Sequence, residues 1–351
     1  MQGFWSVVLK EWLHIKRDPA ILIFALGIPC IQMIIFGFAF NFDVRHLETV
    51  VIDRARSRES RQYIQSLQNT QYVKVTAYTG DEDKAMEAIR TGKCRIAVVI
   101  PPDFDRTLKA LILLDGSDAQ IASRAAAALR GKMLPDPGSP SANVRILYNP
   151  GGETRLYTVP GLIGVILQIC TMVLTALSLV QEKEQGSLEQ LMVTPIGKPG
   201  LMLGKITPYA IMAVLELFII IFVSRLLFGI TVKGSLGELV FMTVPFILAA
   251  LAMGLLISII ADNQGQALEM VVALIMPSIL LSGFVFPLDS LPAPLYAVSQ
   301  LLPITHYMQI LRSVIIRGAG IQELWQPVCI LWSMAVILIA AAVGKFRKSL
   351  S

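Results

Sequence analysis

Charge, histidine and cysteine are all scarce in this chain of 351 residues. Aspartate, glutamate, lysine and arginine make up 16% of it and hydrophobic residues 54%, a balance too apolar for a soluble globular domain. There are only three histidines, and no GxSxG or HExxH pattern occurs, so a histidine-based catalytic centre is not expected. No GxxxxGK[ST] pattern occurs either, so the chain carries no P-loop for a nucleotide.

The four cysteines form no metal or disulfide pattern. Cys30, Cys170 and Cys329 lie in apolar runs, where cysteine behaves as a small hydrophobic residue, and Cys94 stands apart from them. Without a CxxC pair or a cluster of cysteine and histidine, the sequence predicts no metal site and no cofactor bound by this chain. The net charge is +5, but the basic residues flank apolar runs or mix with acids, so nucleic acid is not an expected partner.

What charge there is lies mostly in one region, because more than half of the charged residues fall between residues 41 and 156. The rest of the chain consists of apolar runs near the roughly 20 residues that a membrane-spanning helix needs. The sequence therefore predicts a polytopic α-helical membrane protein with an α/β domain inserted between its first and second spans. The expected spans are 19–40, 157–180, 205–228, 237–261, 267–286 and 326–344. The expected domains are an interfacial helix (1–18), the first span (19–40), the inserted domain (41–156), a five-span region (157–344) and a tail (345–351).

Residues 3–17 are predicted to form an amphipathic helix that lies in the membrane interface, with lipid as its partner. The helix places its charged residues away from one apolar face, and its tryptophans suit the depth of the lipid headgroups. This face comprises Trp5, Val8, Leu9, Trp12 and Leu13.

Lysine and arginine near the ends of the spans predict the orientation. Basic residues gather in the N-terminal helix, in the stretch 181–204 with its edge, and in the tail. They are Lys10, Lys16, Arg17, Lys183, Lys198, Lys205, Lys345, Arg347 and Lys348. Both termini are therefore predicted to be cytoplasmic, and residues 41–156 extracytoplasmic.

The inserted domain is large enough for a core of its own. Alternating apolar residues and short β-rich runs predict strands at 47–53, 72–78, 95–100, 110–115 and 144–148. Helices are expected at 56–68, 81–91 and 118–130, and a loop rich in proline, glycine and serine at 131–142.

The stretch QEKEQGSLEQLMVTP, residues 181–195, separates the second and third spans. Its first charges cannot lie in hydrocarbon, so the preceding helix has left the membrane here. Gly186 suits the left-handed position after a helix end, and Ser187 with Gln190 is typical of a capping box that begins a new short helix. So short a helix needs a protein surface to lie on. That surface is either a partner outside the membrane or the chain's own bundle, and the pattern alone leaves both open.

Three glutamine or glutamate residues lie well away from the ends of the expected spans: Gln32, Gln168 and Glu216. Glu216 is near the middle of the third span, where a charge costs about 2.5–3.5 kcal/mol on insertion scales, so it should face a partner or a water-filled cavity. One interpretation is a group on the substrate pathway, and the other is a hydrogen-bonded glutamate between helices. The glutamines favour hydrogen bonds between helices.

Residues 287–317 contain several prolines and are too broken to span, yet they are apolar enough to dip into the outer interface.

Several stretches then appear in a familiar order. They are KRDP before the first span, YNPGGETRLYTVPGLIGVIL at the second, QEKEQGSLEQLMVTPI after it, and later PSILLSGFVFPLDSLP and PITHYMQILRSVIIRG. Together they resemble the permease subunit of ABC type-2 exporters, in the bacterial multidrug-type branch with a large extracytoplasmic domain. The resemblance covers nearly the whole chain, and the pattern E-x-G-[ST]-L-E-Q-L-x-V-T-P is its most specific part.

This resemblance implies that residues 181–195 form the cytoplasmic coupling region that seats on a separate ATPase subunit, which disfavours a mere connector. The matching positions are Glu182, Glu184, Gly186, Ser187, Leu188, Glu189, Gln190, Leu191, Thr194 and Pro195. It also implies two ATPase subunits that bind ATP and magnesium, a second permease (identical or paralogous) and often a periplasmic adaptor. Residues 287–317 resemble re-entrant helices that close the pathway on the outer side.

The expected function is therefore the export of drugs or other amphipathic small molecules across a bacterial inner membrane, by a chain that is not itself an enzyme. An exporter of lipids or polysaccharide precursors with the same architecture is the alternative. A membrane-anchored sensor is disfavoured because the tail after residue 344 is too short for a signalling module.

Overall fold

The computed structural model describes residues 3–39, 47–69, 72–90, 93–107, 109–114, 154–186, 197–286 and 288–346. The chain divides into two compact units, one of residues 1–41 with 155–351 and the other of residues 42–154. The helices are α1 (Phe4–Arg17), α2 (Pro19–Ala39), α3 (Arg58–Gln68), α4 (Glu82–Arg90), α5 (Phe104–Thr107), α6 (Thr154–Glu184), α7 (Lys198–Phe228), α8 (Leu236–Ile260), α9 (Gln264–Leu281), α10 (Ala293–Ser299), α11 (Pro303–Arg312) and α12 (Trp325–Lys345). The strands are β1 (Leu47–Asp53), β2 (Val73–Tyr78), β3 (Ile96–Ile100) and β4 (Leu111–Leu114).

Six of these helices are long and apolar enough to cross a membrane: α2, α6, α7, α8, α9 and α12. They coincide with the six expected spans, so the predicted fold class is confirmed. Helices α6, α7 and α12 extend beyond the predicted apolar segments because a helix continues past the hydrocarbon into the interface, whereas α9 ends at Leu281, five residues before the predicted end of the fifth span. Helix α7, for example, begins at Lys198, several residues before the predicted span.

The first span contains a π-helical turn at Ile23–Gly27, directly before Pro29. Proline lacks an N–H group, and its ring collides with the carbonyl of the residue four positions earlier, which here is Ala25. A π-turn at this point moves that carbonyl aside. The first span therefore accommodates Pro29 through this π-turn.

Helix α1 packs against α7 through a face that the sequence did not predict. Its buried residues are Val7, Glu11 and Ile15, and Val7 lies so close to Gly204 that a Cβ there would be 2.8 Å from the valine Cβ. The predicted apolar face remains exposed at Trp5, Leu9 and Leu13, as an interfacial helix requires.

The inserted unit contains a four-stranded sheet in the order β2-β1-β3-β4. Strand β1 is parallel to β2 and β3, and β4 is antiparallel to β3. Helices α3 and α5 cover one face of the sheet through residues such as Tyr63 and Phe104, and α4 covers the other through Ala85. The predicted α/β insertion is thus confirmed, whereas the elements predicted at 118–130, 131–142 and 144–148 lie outside the described residues.

Between α9 and α12 the chain forms two short helices, α10 and α11, and a π-helical turn at Ser313–Arg317. Neither helix is long enough to span, which agrees with the prediction for residues 287–317. His306 makes a structural contact here, because its Nε2 lies 2.9 Å from the carbonyl oxygen of Gln300.

Candidate functional site

The candidate site lies where α6 ends and the stretch 181–195 begins. Gly186 has a φ of 68° just after the helix end, so the left-handed position predicted for it is present. Residues 187–196 lie outside the described part of the chain, so the predicted site residues Ser187, Leu188, Glu189, Gln190, Leu191, Thr194 and Pro195 stay predictions. What the structure describes is the base of this stretch, on the α6 side through Gly186 and on the α7 side from Gly197.

Four charged side chains from three helices meet at this base, and we call them the charge quartet: Lys10, Glu11, Glu182 and Lys205. Nζ of Lys205 lies 3.1 Å from Oε1 of Glu11 and 2.6 Å from Oε2 of Glu182. Nζ of Lys10 contacts Oε1 of Glu182 and lies 3.3 Å from Oε1 of Glu11. Each lysine therefore contacts both carboxylates, and the four groups form a closed ring of alternating charge.

The inner pair of the quartet is fully removed from solvent. The side chain of Lys205 is 1% exposed and that of Glu11 is 2% exposed, whereas Lys10 on the outside is 44% exposed. Burial acts to lower the pKa of the Lys10 ammonium, but the hydrogen bond to Glu182 and the charge of Glu11 outweigh it, so that pKa is raised. A buried charge without a partner is very costly, so removing one member of the ring would destabilise the charges that it contacts.

The two residues that follow Glu182 bind a different part of the molecule, the turn between α8 and α9. Nζ of Lys183 donates to the carbonyl oxygen of Ala261 at 3.0 Å and lies 3.6 Å from Oδ1 of Asp262. The carboxylate of Glu184 accepts from the backbone N–H of Gln264 at 2.9 Å and from the side-chain amide of the same residue. Residues 182–184 thus connect the base of the stretch to α1, to α7 and to the α8–α9 turn.

Sequence reasoning identified Glu182 and Glu184 but missed Glu11 and Lys205. Lys205 counted only as one of the basic residues that set the orientation, and Glu11 as part of the polar side of α1. One signal was available, since Glu11 stands at helical spacing between the buried residues Val7 and Ile15. A carboxylate in such a stripe needs a buried cation.

The predicted polar residues inside the spans are buried in whole or in part, and the structure shows no hydrogen bond between them. Glu216 and Gln168 are each 1% exposed, and no hydrogen bond joins any two of Gln32, Gln168 and Glu216. The Oε1 atoms of all three are buried without a donor among the described residues.

A second cluster lies near the N-terminal end of α6, opposite to the stretch 181–195. It joins this end of α6 to the C-terminal end of α11. The guanidinium carbon of Arg312 lies 3.7 Å from the centre of the Tyr157 ring, and the Tyr157 hydroxyl donates to the carbonyl oxygen of Gly283 at 3.0 Å. The ring of Phe284 occupies the space next to Gly161, where a Cβ would come within 2.4 Å of it. The second span, the end of α9 and α11 are therefore tied together at this level.

This arrangement defines a class of protein before any comparison. Six helices long and apolar enough to span a membrane, with a cluster of charged residues at the base of the stretch between the second and third spans, are features of a membrane transport subunit. Within the described residues, no group of three or more histidine, cysteine, aspartate or glutamate side chains is placed to hold a metal ion.

The comparisons with known proteins identify the family. The model of the ABC-2 family transporter protein matches residues 19–343, so the chain belongs to this family of ABC transporter permeases. The chain is 29% identical to the probable multidrug ABC transporter permease YbhS of Escherichia coli (strain K12), over 98% of this chain and 97% of the relative. It is 30% identical to the probable multidrug ABC transporter permease YbhR of the same strain, over 98% of each chain. It is 24% identical to the inner membrane transport permease YhhJ, over 100% of this chain and 98% of the relative. The predicted family is thereby confirmed, and the chain is an ABC exporter permease subunit.

Proposed function

We propose that this permease exports drugs or other amphipathic small molecules across the bacterial inner membrane, driven by separate ATPase subunits that seat on residues 181–195. The observation that carries the proposal is the base of that stretch, where three successive residues, 182–184, contact α1, α7 and the α8–α9 turn. A force applied to the stretch would act on all of these elements together. The names of the relatives YbhS and YbhR support a multidrug substrate class.

The remaining parts of the complex follow from the same proposal. Two ATPase subunits bind ATP and magnesium beneath a pair of permeases, which are identical or paralogous, and a periplasmic adaptor stands beside the inserted domain. Both termini and residues 181–195 face the cytoplasm, as the distribution of lysine and arginine supports. Residues 287–317 close the pathway on the outer side.

The docking of the ATPase is tested by changing the stretch itself. We expect Glu189→Lys and Gly186→Pro each to abolish co-purification of the ATPase subunit while the permease remains folded in detergent, because the first reverses a charge in the docking helix and the second removes the left-handed turn before it. Glu323→Lys makes the same charge change in the connection before α12, where the side chain is exposed, and should leave co-purification intact. Unchanged capture of the ATPase by both stretch variants would count against the assignment.

The substrate class is tested by transport into proteoliposomes that contain the permease with its ATPase. We expect ATP-dependent movement of amphipathic dyes such as ethidium, whereas movement of labelled lipids alone would support the lipid-exporter alternative.

Glu216 provides a finer test of the pathway, because its buried carboxyl has an oxygen without a donor. Glu216→Gln keeps the shape of the side chain, and we expect it to change the range of dyes transported; identical ranges would favour a purely structural glutamate.

A further inference from the structure

The charge quartet is an unusual way to hold three helices together. Replacing a buried ion pair by apolar side chains of similar volume is often neutral or stabilising, so such pairs contribute little to stability in their own right. The same surfaces of α1 and α7 already pack through Val7 and Gly204, which meet at the distance of direct contact. A function other than stability therefore accounts better for a ring of four charges of which three are largely buried.

The position of the quartet suggests what that function is. Glu182 and Lys205 lie on the two sides of the stretch 187–196, one at the end of α6 and the other in the first turns of α7. They contact each other directly at 2.6 Å. Any movement of the stretch that separates the ends of α6 and α7 must therefore act on this contact.

Helix α1 is the third participant, and it leads straight into the first span. Lys10 and Glu11 occupy adjacent positions on α1, and only Asp18 separates the end of α1 from the start of α2. Oδ1 of Asp18 accepts a hydrogen bond from the N–H of Ala20 at 2.9 Å, which fixes the joint between the two helices. Only 22% of an 18-residue apolar segment of the first span is buried, so fewer contacts hold this span in place than hold α6, where the share is 78%.

Three members of the quartet lie on two closely packed helices, and the fourth member, Glu182, is joined to them by ion pairs. Val7 and Gly204 bind α1 closely to α7, so Lys10, Glu11 and Lys205 form one body. Glu182 joins this body through its two ion pairs, to Lys10 and to Lys205. Ion pairs can slide and exchange partners without opening a cavity, whereas a close-packed apolar contact cannot.

We propose that the charge quartet transmits movement of the stretch 181–195 to α1 and through α1 to the first span, so that Lys10, Glu11 and Lys205 are positioning residues for export. This inference rests on the proposed function, in which an ATPase subunit moves the stretch. Movement of the stretch reaches the quartet at Glu182, and the quartet passes this movement on to the packed pair α1 and α7. Breaking the ring disconnects ATP hydrolysis from transport while the ATPase remains bound.

The test uses the complete complex of permease and ATPase in vesicles of phosphatidylethanolamine and phosphatidylglycerol, with ethidium as the transported probe. Three quantities are measured: the ATPase subunit that co-purifies, the rate of ATP hydrolysis, and ethidium moved per ATP. For Lys205→Met and Glu11→Gln we expect co-purification to persist and ethidium moved per ATP to fall about tenfold, a typical size for coupling between sites. The control is the exposed pair Arg54 and Glu82 of the inserted domain, also 3.1 Å apart, whose changes Arg54→Met and Glu82→Gln should leave the ratio unaltered.

A variant with all four charges reversed distinguishes a loss of transmission from a folding defect. The fourfold variant Lys10→Glu, Glu11→Lys, Glu182→Lys and Lys205→Glu restores an alternating ring with every charge inverted. We expect it to recover ethidium moved per ATP to within about threefold of the unmodified complex, since the coupling depends on pairing and not on the sign of each member.

Three results would overturn the inference. The first is that the single variants leave ethidium moved per ATP within about twofold of the unmodified value. The second is that the fourfold variant does not restore ethidium moved per ATP. The third is that the ATPase subunit is lost together with transport, which would make the quartet part of the ATPase-binding surface. If the unmodified permease captures no ATPase at all, the proposed function itself fails. That result differs from the other three because it appears before any variant is made.

Discussion

At Gly254, α8 comes very close to the backbone of α6. A Cβ built there would lie 2.6 Å from the carbonyl oxygen of Met172 and 3.2 Å from its Cα, both of them backbone atoms. A flexible side chain could turn away from such a contact, but the backbone of a helix can yield only if the two helices separate. The contact therefore depends on the absence of a side chain, as close approaches of membrane helices commonly do.

We expect Gly254→Ala to destabilise the protein by about 1–3 kcal/mol, the usual cost of overpacking a tight interior. The melting temperature of the purified permease in detergent should fall accordingly. Gly344→Ala is the matched control, because it lies in α12 and a Cβ there meets nothing within 4 Å. Equal melting temperatures for the two variants would contradict the close approach of α6 and α8.

The residues that sequence alone could identify were those with a local signal. Gly186 follows a helix and precedes a capping pattern, and its left-handed conformation was therefore predictable. Lys205 carried no such signal, because a lysine at the end of an apolar run looks the same whether it faces headgroups or a buried carboxylate. Its partner Glu11 is far away in the sequence and reaches it through the packing of α1 on α7, while its partner Glu182 lies at the end of another helix, α6.

At the scale of elements, hydrophobic length predicted the six spans because the thickness of a bilayer leaves little freedom. The buried face of α1 could not be predicted in the same way. That helix carries two stripes, Trp5–Leu9–Leu13 and Val7–Glu11–Ile15, and the more apolar one faces outward because lipid as well as protein can cover it. Hydrophobicity therefore indicates that a surface is covered without indicating what covers it.

The contacts of Tyr157 give a prediction for how α6, α9 and α11 are joined. Tyr157→Phe removes the hydrogen bond to the Gly283 carbonyl and should cost about 0.5–1.5 kcal/mol, while the ring beneath Arg312 remains. Tyr157→Leu removes the ring as well and should cost a further ~0.5–2 kcal/mol from the lost cation–π contact. Thermal unfolding in detergent measures both. Tyr296→Phe, at a tyrosine 45% exposed, should have little effect, and equal losses for the phenylalanine and leucine variants would exclude a contribution from the ring.

At the scale of the whole molecule, the spans are enclosed to very different degrees. Within one protomer, the buried share of an 18-residue apolar segment is 78% in α6 and 72% in α8, whereas it is 22% in each of α2, α9 and α12. The resemblance to ABC type-2 permeases implies rearrangement of the first, second and fifth spans at an interface between two permeases. Of these, α2 and α9 present wide exposed faces, and α12 is exposed to the same degree without being implicated. Sequence could not separate these cases, because lipid and a second permease both favour apolar side chains.

Helix α9 gives the test of that difference. It buries Ala267, Val271 and Ile275 in its own protomer, and at spacings of four residues it exposes a second apolar stripe: Leu268, Val272, Met276 and Leu280. In a chain whose four native cysteines are replaced by alanine, we expect Met276→Cys to form a disulfide-linked pair of permeases on oxidation in membranes. Ile337→Cys on α12 is the control, because Ile337 is 66% exposed and Met276 58%, yet α12 should face lipid. Cross-linking of equal yield at the two positions would show that exposure alone governs the reaction. Cross-linking at Ile337 only would show that the interface between permeases involves α12 and not α9.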